Sequence, residues 1–141
     1  MTYEQAVQWL LEALPNFQRD GGTKNYKIGL EGPLALWEAL DFPGRKIPTI
    51  HVAGTNGKGS TLAFLKAMLE AAGKSVHVYT SPHLVRFAER IQLAGETISD
   101  AALLDVLTRV GAANGDVPGT FFELTTAAAF LAFSETPADF V

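Results

Sequence analysis

Residues 49–69 read TIHVAGTNGKGSTLAFLKAML, and the fold of the chain turns on how this stretch is parsed. Its first part, Thr49 to Ala53, is short, apolar and β-branched and lies between Pro48 and Gly54, the pattern of a buried strand. Its last part places Leu62, Leu65 and Leu69 at helical intervals, continued by Ala72, with Gly73 suited to the C-terminal cap. Between them, residues 54–59 hold three glycines and a lysine. Gly54, Gly57 and Gly59 let the backbone turn tightly and aim successive N–H groups into one concavity. At a helix N-terminus such a concavity attracts anions, because unpaired donors and the helix dipole act together. Lys58 adds a mobile point charge suited to the β- and γ-phosphates of a nucleotide, and Ser60 a hydroxyl for phosphate or Mg2+. The spacing departs from G-x-x-x-x-G-K-[ST]: Gly59 follows the lysine, and Gly54 lies three residues before Gly57. The plainer alternative is a glycine-rich turn between strand and helix that carries a surface lysine.

Outward from this stretch the pattern alternates. Upstream, Thr2 to Leu14 reads as a helix opened by a Thr2/Gln5 capping box and ended by Pro15. A polar, glycine-rich loop over residues 15–29 leads to a second helix marked by Leu34, Trp37 and Leu40. Downstream, KSVHVYT reads as a strand, RIQLAGETI as a hairpin about Ala94-Gly95, and SDAALLDVLTRV as a helix capped by Ser99. Leu103, Val106, Leu107 and Val110 form the inward stripe of that helix. The loop GAANGDVPG, the apolar helix TFFELTTAAAFLAFSE and the start of a third strand in ADFV complete the chain. This order predicts an α/β fold with a mostly parallel sheet covered on both faces. A chain end at Val141, inside a core strand, would leave that sheet unfinished, so the expectation is a piece of a longer protein.

Composition sets bounds. The 141 residues are 48% apolar and 18% charged, ordinary for a globular chain with a real core. A net charge of −4 argues against a general nucleic-acid binder. The absence of cysteine removes disulfides and thiolate metal sites and fits a reducing cytoplasm. The first residues carry Glu4 and Glu12 and lack the form of a signal peptide. No apolar run approaches the ~18 residues that span a bilayer.

Further candidates follow the second strand. Ser81 could meet a metal or phosphate at the C-terminal end of a strand, where ligands bind in open α/β sheets; Ser81-Pro82 is equally an ordinary helix-start pair. His83, Arg86 and Arg90 could hold an anion, although a solvated charged loop balanced by Glu89 explains them better. Glu123 could be a carboxylate for Mg2+, but its spacing from Thr120 is that of a capping box, which needs no metal. His51 and His77 fall in strand patterns as packed or edge residues.

HVAGTNGKGS (residues 51–60), TSPHLVRFAERI (80–91) and FFELTTAAAF (121–130), in that order, resemble the N-terminal part of the folylpolyglutamate synthase/dihydrofolate synthase family, within the Mur ligase superfamily. IGLEGPLALWEAL (28–40) resembles the region that precedes the phosphate loop there. Gly59 after the lysine is what that family carries. The resemblance implies a P-loop-type three-layer sandwich, like the central domain of Mur ligases, truncated here so that residues 1–141 are the N-terminal portion of one ATP-binding domain. It implies a cytoplasmic ligase that turns a pterin-linked carboxylate into an acyl phosphate with ATP and joins it to the amine of L-glutamate, with dihydropteroate or a reduced folate as substrate. By position, Gly54, Thr55, Asn56, Gly57, Lys58, Gly59 and Ser60 match the ATP phosphate loop, with Lys58 as the catalytic cation. Ser81 and Glu123 match Mg2+ ligands, and His83, Arg86 and Phe87 match the segment beside the pterin substrate. The family pattern continues beyond ADFV with further ligands and a C-terminal domain, so the 141-residue chain alone is expected to be inactive as a ligase. Rival readings are a Mur-type ligase for a peptidoglycan precursor, a P-loop kinase or NTPase switch, and a nucleotide-binding module without catalysis.

Overall fold

A computed structural model describes residues 2–13, 29–115 and 119–141. Five helices carry most of the described chain: α1 (Tyr3–Ala13), α2 (Glu31–Ala39), α3 (Lys58–Ala71), α4 (Asp100–Asn114) and α5 (Phe121–Glu135). The expected loop over residues 15–29 lies outside the described residues except for Gly29. Side chains set three of the starts. Thr2 and Gln5 bond reciprocally before α1, the Ser99 hydroxyl accepts from Ala102 N–H at 3.2 Å before α4, and Thr120 with Glu123 caps α5.

The strands differ from the expected sheet. β1 (Val78–Tyr79), β2 (Ile91–Leu93) and β3 (Glu96–Thr97) form an antiparallel sheet in the order β1-β2-β3. The hairpin about Ala94-Gly95 is as expected, both residues having positive φ, +48° and +95°. Parallel pairing is confined to short contacts about the last residues. His77 N–H donates to Phe140 O at 2.9 Å across the bridge Val76↔Phe140, and Val141 exchanges bonds with Pro48 O and Ile50 N–H at 2.9 and 2.8 Å. The mostly parallel, three-layer sheet is therefore not what the described strands form. Nor is Thr49–Ala53 a buried strand: Thr49, Ile50, His51 and Ala53 are exposed and carry no regular ladder. A buried parallel strand needs partners on both edges and cover on both faces. Among the described residues the main chain is bonded toward Val141 alone, and a cavity of about 620 Å³ separates the segment from α3.

The core lies elsewhere, around α5. Phe121, Leu124, Ala127, Ala128, Ala129, Leu131, Ala132 and Phe133 of that helix are buried, and α4, α2 and β2 pack against it. The inward stripe of α4 is the expected one, with Leu103, Val106, Leu107 and Val110 all buried. By contrast α3 buries no residue, and Phe64 and Met68 on it are 70% and 63% exposed.

His77 ties the small sheet to the end of α5. Its ring stacks on Phe133 at 4.9 Å. Its Nδ1 accepts from Ala94 N–H at 3.0 Å, so the opposite nitrogen carries the proton and donates to Thr136 O at 2.9 Å. The ring is 1% exposed. His77→Phe keeps the stack and removes both bonds, leaving a donor and an acceptor without partners. The expected loss is about 2 kcal/mol of stability, read as a lower urea midpoint with unchanged slope.

Candidate functional site

The glycine loop is shaped by the residue that ends it. Gly57 sits in the left-handed region at φ +77°, a conformation that favours glycine, and forms the N-cap of α3 without any side-chain capping bond. Thr61 tightens the first turn, its N–H and hydroxyl both donating to Gly57 O at 2.9 Å. The Lys58 ammonium folds back over the loop onto the carbonyls of Gly54 and Thr55. Thr55, Asn56, Gly59 and Ser60 are exposed. The loop thus enters a 14-residue helix whose first N–H groups have no side-chain cap, with the Lys58 ammonium lying back across the loop carbonyls.

The structure brings part of the sequence-derived set together here. Gly54, Lys58 and Gly59 line the cavity between α3 and β1, and so does Ser81 from the segment that leaves β1. Ser81 and Pro82 open no helix; the next turn, a 3-10 helix, begins at Phe87. Glu123 is not among the cavity-lining residues. Its carboxylate accepts from Thr120 N–H at 2.7 Å while its own N–H donates to the Thr120 hydroxyl, the capping box expected from spacing. Nearby, Tyr79 and Thr126 join β1 to α5 at 3.3 Å. Among the described residues no group of three or more histidine, cysteine or acidic side chains could hold a metal ion.

His83, Arg86 and Phe87 form a second group, away from that cavity. Arg86 is exposed and doubly bonded to Asp100, at 2.7 and 2.8 Å. Those bonds, then the Asp100 charge, raise its pKa above the usual arginine value. Phe87 is 3% exposed, edge-on to Phe121 at 6.1 Å, so it is a core residue rather than an open contact surface. Arg90 overturns the expectation of a solvated loop. It is 6% exposed, with the rings of Phe87 and Phe121 at 5.4 and 5.2 Å from its guanidinium. Burial pulls its pKa down, opposed by Tyr79. In a 3-10 turn residues i and i+3 eclipse, which stacks Arg90 over Phe87, a geometry that follows from the turn and not from the composition of the segment. Arg90 Nε donates to His83 Nδ1 at 2.8 Å. Burial, then the Arg90 charge, lowers the His83 pKa, with Glu89 opposing.

Comparison with known proteins extends the resemblance beyond the motifs. The chain is 44% identical over 115 residues to a Bacillus subtilis dihydrofolate synthase/folylpolyglutamate synthase, covering 77% of this chain and 27% of that protein. It superimposes on the folylpolyglutamate synthetase of Lactobacillus casei with a TM-score of 0.86 at 35% identity, covering 99% of this chain and 35% of the other. A Yersinia pestis bifunctional folylpolyglutamate synthase/dihydrofolate synthase, complexed with AMPPNP and Mn ion, matches with a TM-score of 0.84 at 35% identity, over 100% of this chain and 32% of that one. No model of a protein family matches the chain. The resemblance carried by the motifs therefore extends over nearly all 141 residues, in sequence and in fold. The chain spans about a quarter to a third of the length of these relatives.

Glu89 shapes the loop that carries His83. Its carboxylate accepts from the N–H groups of Leu84, Val85 and Arg86, at 2.9, 3.2 and 2.8 Å. The bond from Arg86, then that from Leu84, holds its pKa below the ordinary 4.5. A depressed carboxylate pKa stabilises the fold above the unfolded-state value, and that contribution is lost as pH falls through the folded-state value. Urea midpoints of the parent should accordingly fall as pH drops below 4.5, and Glu89→Gln should remove that component while leaving the rest of the profile in place.

Proposed function

We propose that this chain is the N-terminal, phosphate-binding part of an ATP-dependent carbon–nitrogen ligase of the folylpolyglutamate synthase/dihydrofolate synthase type, adding L-glutamate to dihydropteroate or a reduced folate. The observation that carries the reading is the loop of Gly54 to Ser60 at the uncapped start of α3, with Lys58 lying across it and Ser81 on the same cavity. Residues 1–141 then form the first portion of a P-loop ligase domain working in the cytoplasm. In this reading a mostly parallel sheet, which the described strands do not themselves form, would arise together with sequence that the longer relatives contain.

In this reading a substrate carboxylate oxygen attacks the γ-phosphorus of ATP, and the bond to the bridging oxygen breaks with ADP as leaving group. The amine of glutamate attacks the resulting acyl phosphate, inorganic phosphate leaves, and the nitrogen gives up a proton. Two anions must approach, so repulsion is the main obstacle. The N–H groups of residues 57–60 and the Lys58 ammonium place positive potential where charge builds on the γ-phosphate, the kind of fixed stabilisation that contributes most in acyl and phosphoryl transfer. Holding the two reactants in line contributes on the order of several kcal/mol more. His83 and Arg86 are proposed to lie beside the folate substrate. Phe87 would act beneath them, as the core residue on which that loop rests.

The resemblance also implies a divalent cation. Ser81 faces the cavity, but Glu123 has a carboxylate oxygen on Thr120 N–H and does not line it. The described residues therefore do not make a complete cation site, although one or two protein oxygens plus phosphate suffice for Mg2+ in general. Ser81 and Glu123 stand as the proposed contribution of this chain to it, and no step is derived through the metal.

Lys58→Ala in the full-length ligase is the direct test. Loss of a charge-assisted contact to phosphate costs about 1.5–3 kcal/mol, so nucleotide affinity by calorimetry should fall roughly tenfold to a hundredfold, and glutamate ligation with it. Unchanged affinity and turnover would remove the basis of the assignment.

A further inference from the structure

The segment from Ser81 to Arg86 is held from beneath by two adjacent residues of the 3-10 turn that follows it. Glu89 fixes the main chain at Leu84, Val85 and Arg86. Arg90 reaches the half-buried His83 side chain of the segment through the 2.8 Å bond from Nε to Nδ1. The anchor is unusual in composition. Among the described residues no carboxylate pairs with Arg90; its neighbours are the faces of Phe87 and Phe121, the Tyr79 phenol and the His83 ring. A guanidinium buried without an acid is costly, and aliphatic side chains of similar volume fill such space more cheaply. Arginine offers one thing they do not: a rigid donor aimed at a chosen acceptor.

The direction of that donor has a chemical consequence. Arginine only donates, so His83 Nδ1 must be the acceptor and the ring proton must sit on Nε2. We propose that Arg90 is a positioning residue that locks His83 in its Nε2–H tautomer, so that the segment presents a hydrogen-bond donor to its substrate. The group met by His83 is then an acceptor, a carbonyl, ring nitrogen or carboxylate oxygen. The substrate half of this statement rests on the proposed function, whereas the tautomer does not, so the two fail separately.

Nitrogen-15 NMR of the imidazole in the full 141-residue chain, recorded well above the ordinary histidine pKa of ~6.5, reads the tautomer directly. His83 should show an unprotonated Nδ1 and a protonated Nε2. The opposite tautomer, or rapid averaging of the two, overturns the proposal. In Arg90→Met that preference should collapse into averaging; retention of the Nε2–H form would show that something other than Arg90 sets it. Should Arg90→Met fail to fold, two substitutions at His83 make the same test without touching the arginine. Asparagine places Oδ1 as many bonds from Cα as Nδ1, so His83→Asn should keep the acceptor and melt near the parent. His83→Ala should melt roughly 3–8 °C lower, with Arg90 left without its acceptor. Equal melting of the two variants counts against the bond. Positioning should also appear in the full-length ligase as a raised KM for the folate substrate in Arg90→Met with KM for ATP unchanged; a uniform loss of activity that tracks lower stability would assign Arg90 to the core alone.

Discussion

A helix that is apolar on nearly every face cannot remain in water, and the need to bury α5 organises the rest of the molecule. Its fifteen residues, FFELTTAAAFLAFSE, offer no continuous polar stripe to expose: Phe121, Leu124 and Leu131 share one side, Phe133 stands on another, and all are buried. Alanines at 127, 128 and 129 let neighbouring elements approach closely, and α4 takes up that space along most of its length. The pieces attached to α5 are held by specific contacts. Trp37 meets Phe130 edge-on at 5.4 Å, the His77 ring stacks on Phe133, and Phe87 and Arg90 close over Phe121. Each brings a different part of the chain to the same helix.

That arrangement divides the molecule into a tightly packed half and a loosely packed one. α3 is tied to the middle strand of the sheet, where Lys66 donates to Gln92 at 2.7 Å, and its apolar residues Leu62, Leu65 and Leu69 face the cavity rather than a filled core. Local stability follows buried contacts, so α3 and the glycine loop before it belong to the part of the structure that opens most readily. The candidate phosphate site is therefore built on the less constrained element. The segment with His83 is built on the more constrained one, through Glu89, Arg90 and the aromatic rings beneath them.

Local signals were the legible ones. The capping boxes before α1 and α5, the Ser99 cap, the stripe of α4 and the Ala94-Gly95 turn depend on residues within a few positions of one another, and all formed as spacing implies. Beyond that hairpin and the strand in KSVHVYT the sheet was not legible, because pairing is non-local: whether Thr49–Ala53 is buried depends on what lies beside it, and its composition does not say. The same limit applied to the site. The loop of Gly54 to Ser60 declared itself by glycine spacing, but the separation of Ser81 from the His83 group did not, nor did the burial of Phe87. Arg90 was misjudged because a charged residue in a charged segment reads as solvated, while the i, i+3 geometry that stacks it on Phe87 is a three-dimensional fact.

The helix starts separate structural need from candidate function. α1, α2, α4 and α5 each carry an acid in the first turn, Glu4, Glu31, Asp100 and Glu123, where the partial positive charge of the helix end favours it. α3 has no acid there and begins instead with Lys58, a like charge against that end, after a glycine N-cap that supplies no side-chain acceptor. Each of these choices costs the isolated helix stability, by about 0.3–1 kcal/mol for the misplaced charge and roughly a few tenths of a kcal/mol for the glycine N-cap. An anion at that end reverses the sign of both: the uncapped N–H groups become donors to it, and the lysine becomes its counter-charge. The same end opens on the cavity that Ser81 lines. A helix start that is poorly stabilised as structure, and whose charges an anion would balance, is the physical reason for proposing the glycine loop as a binding element rather than a turn.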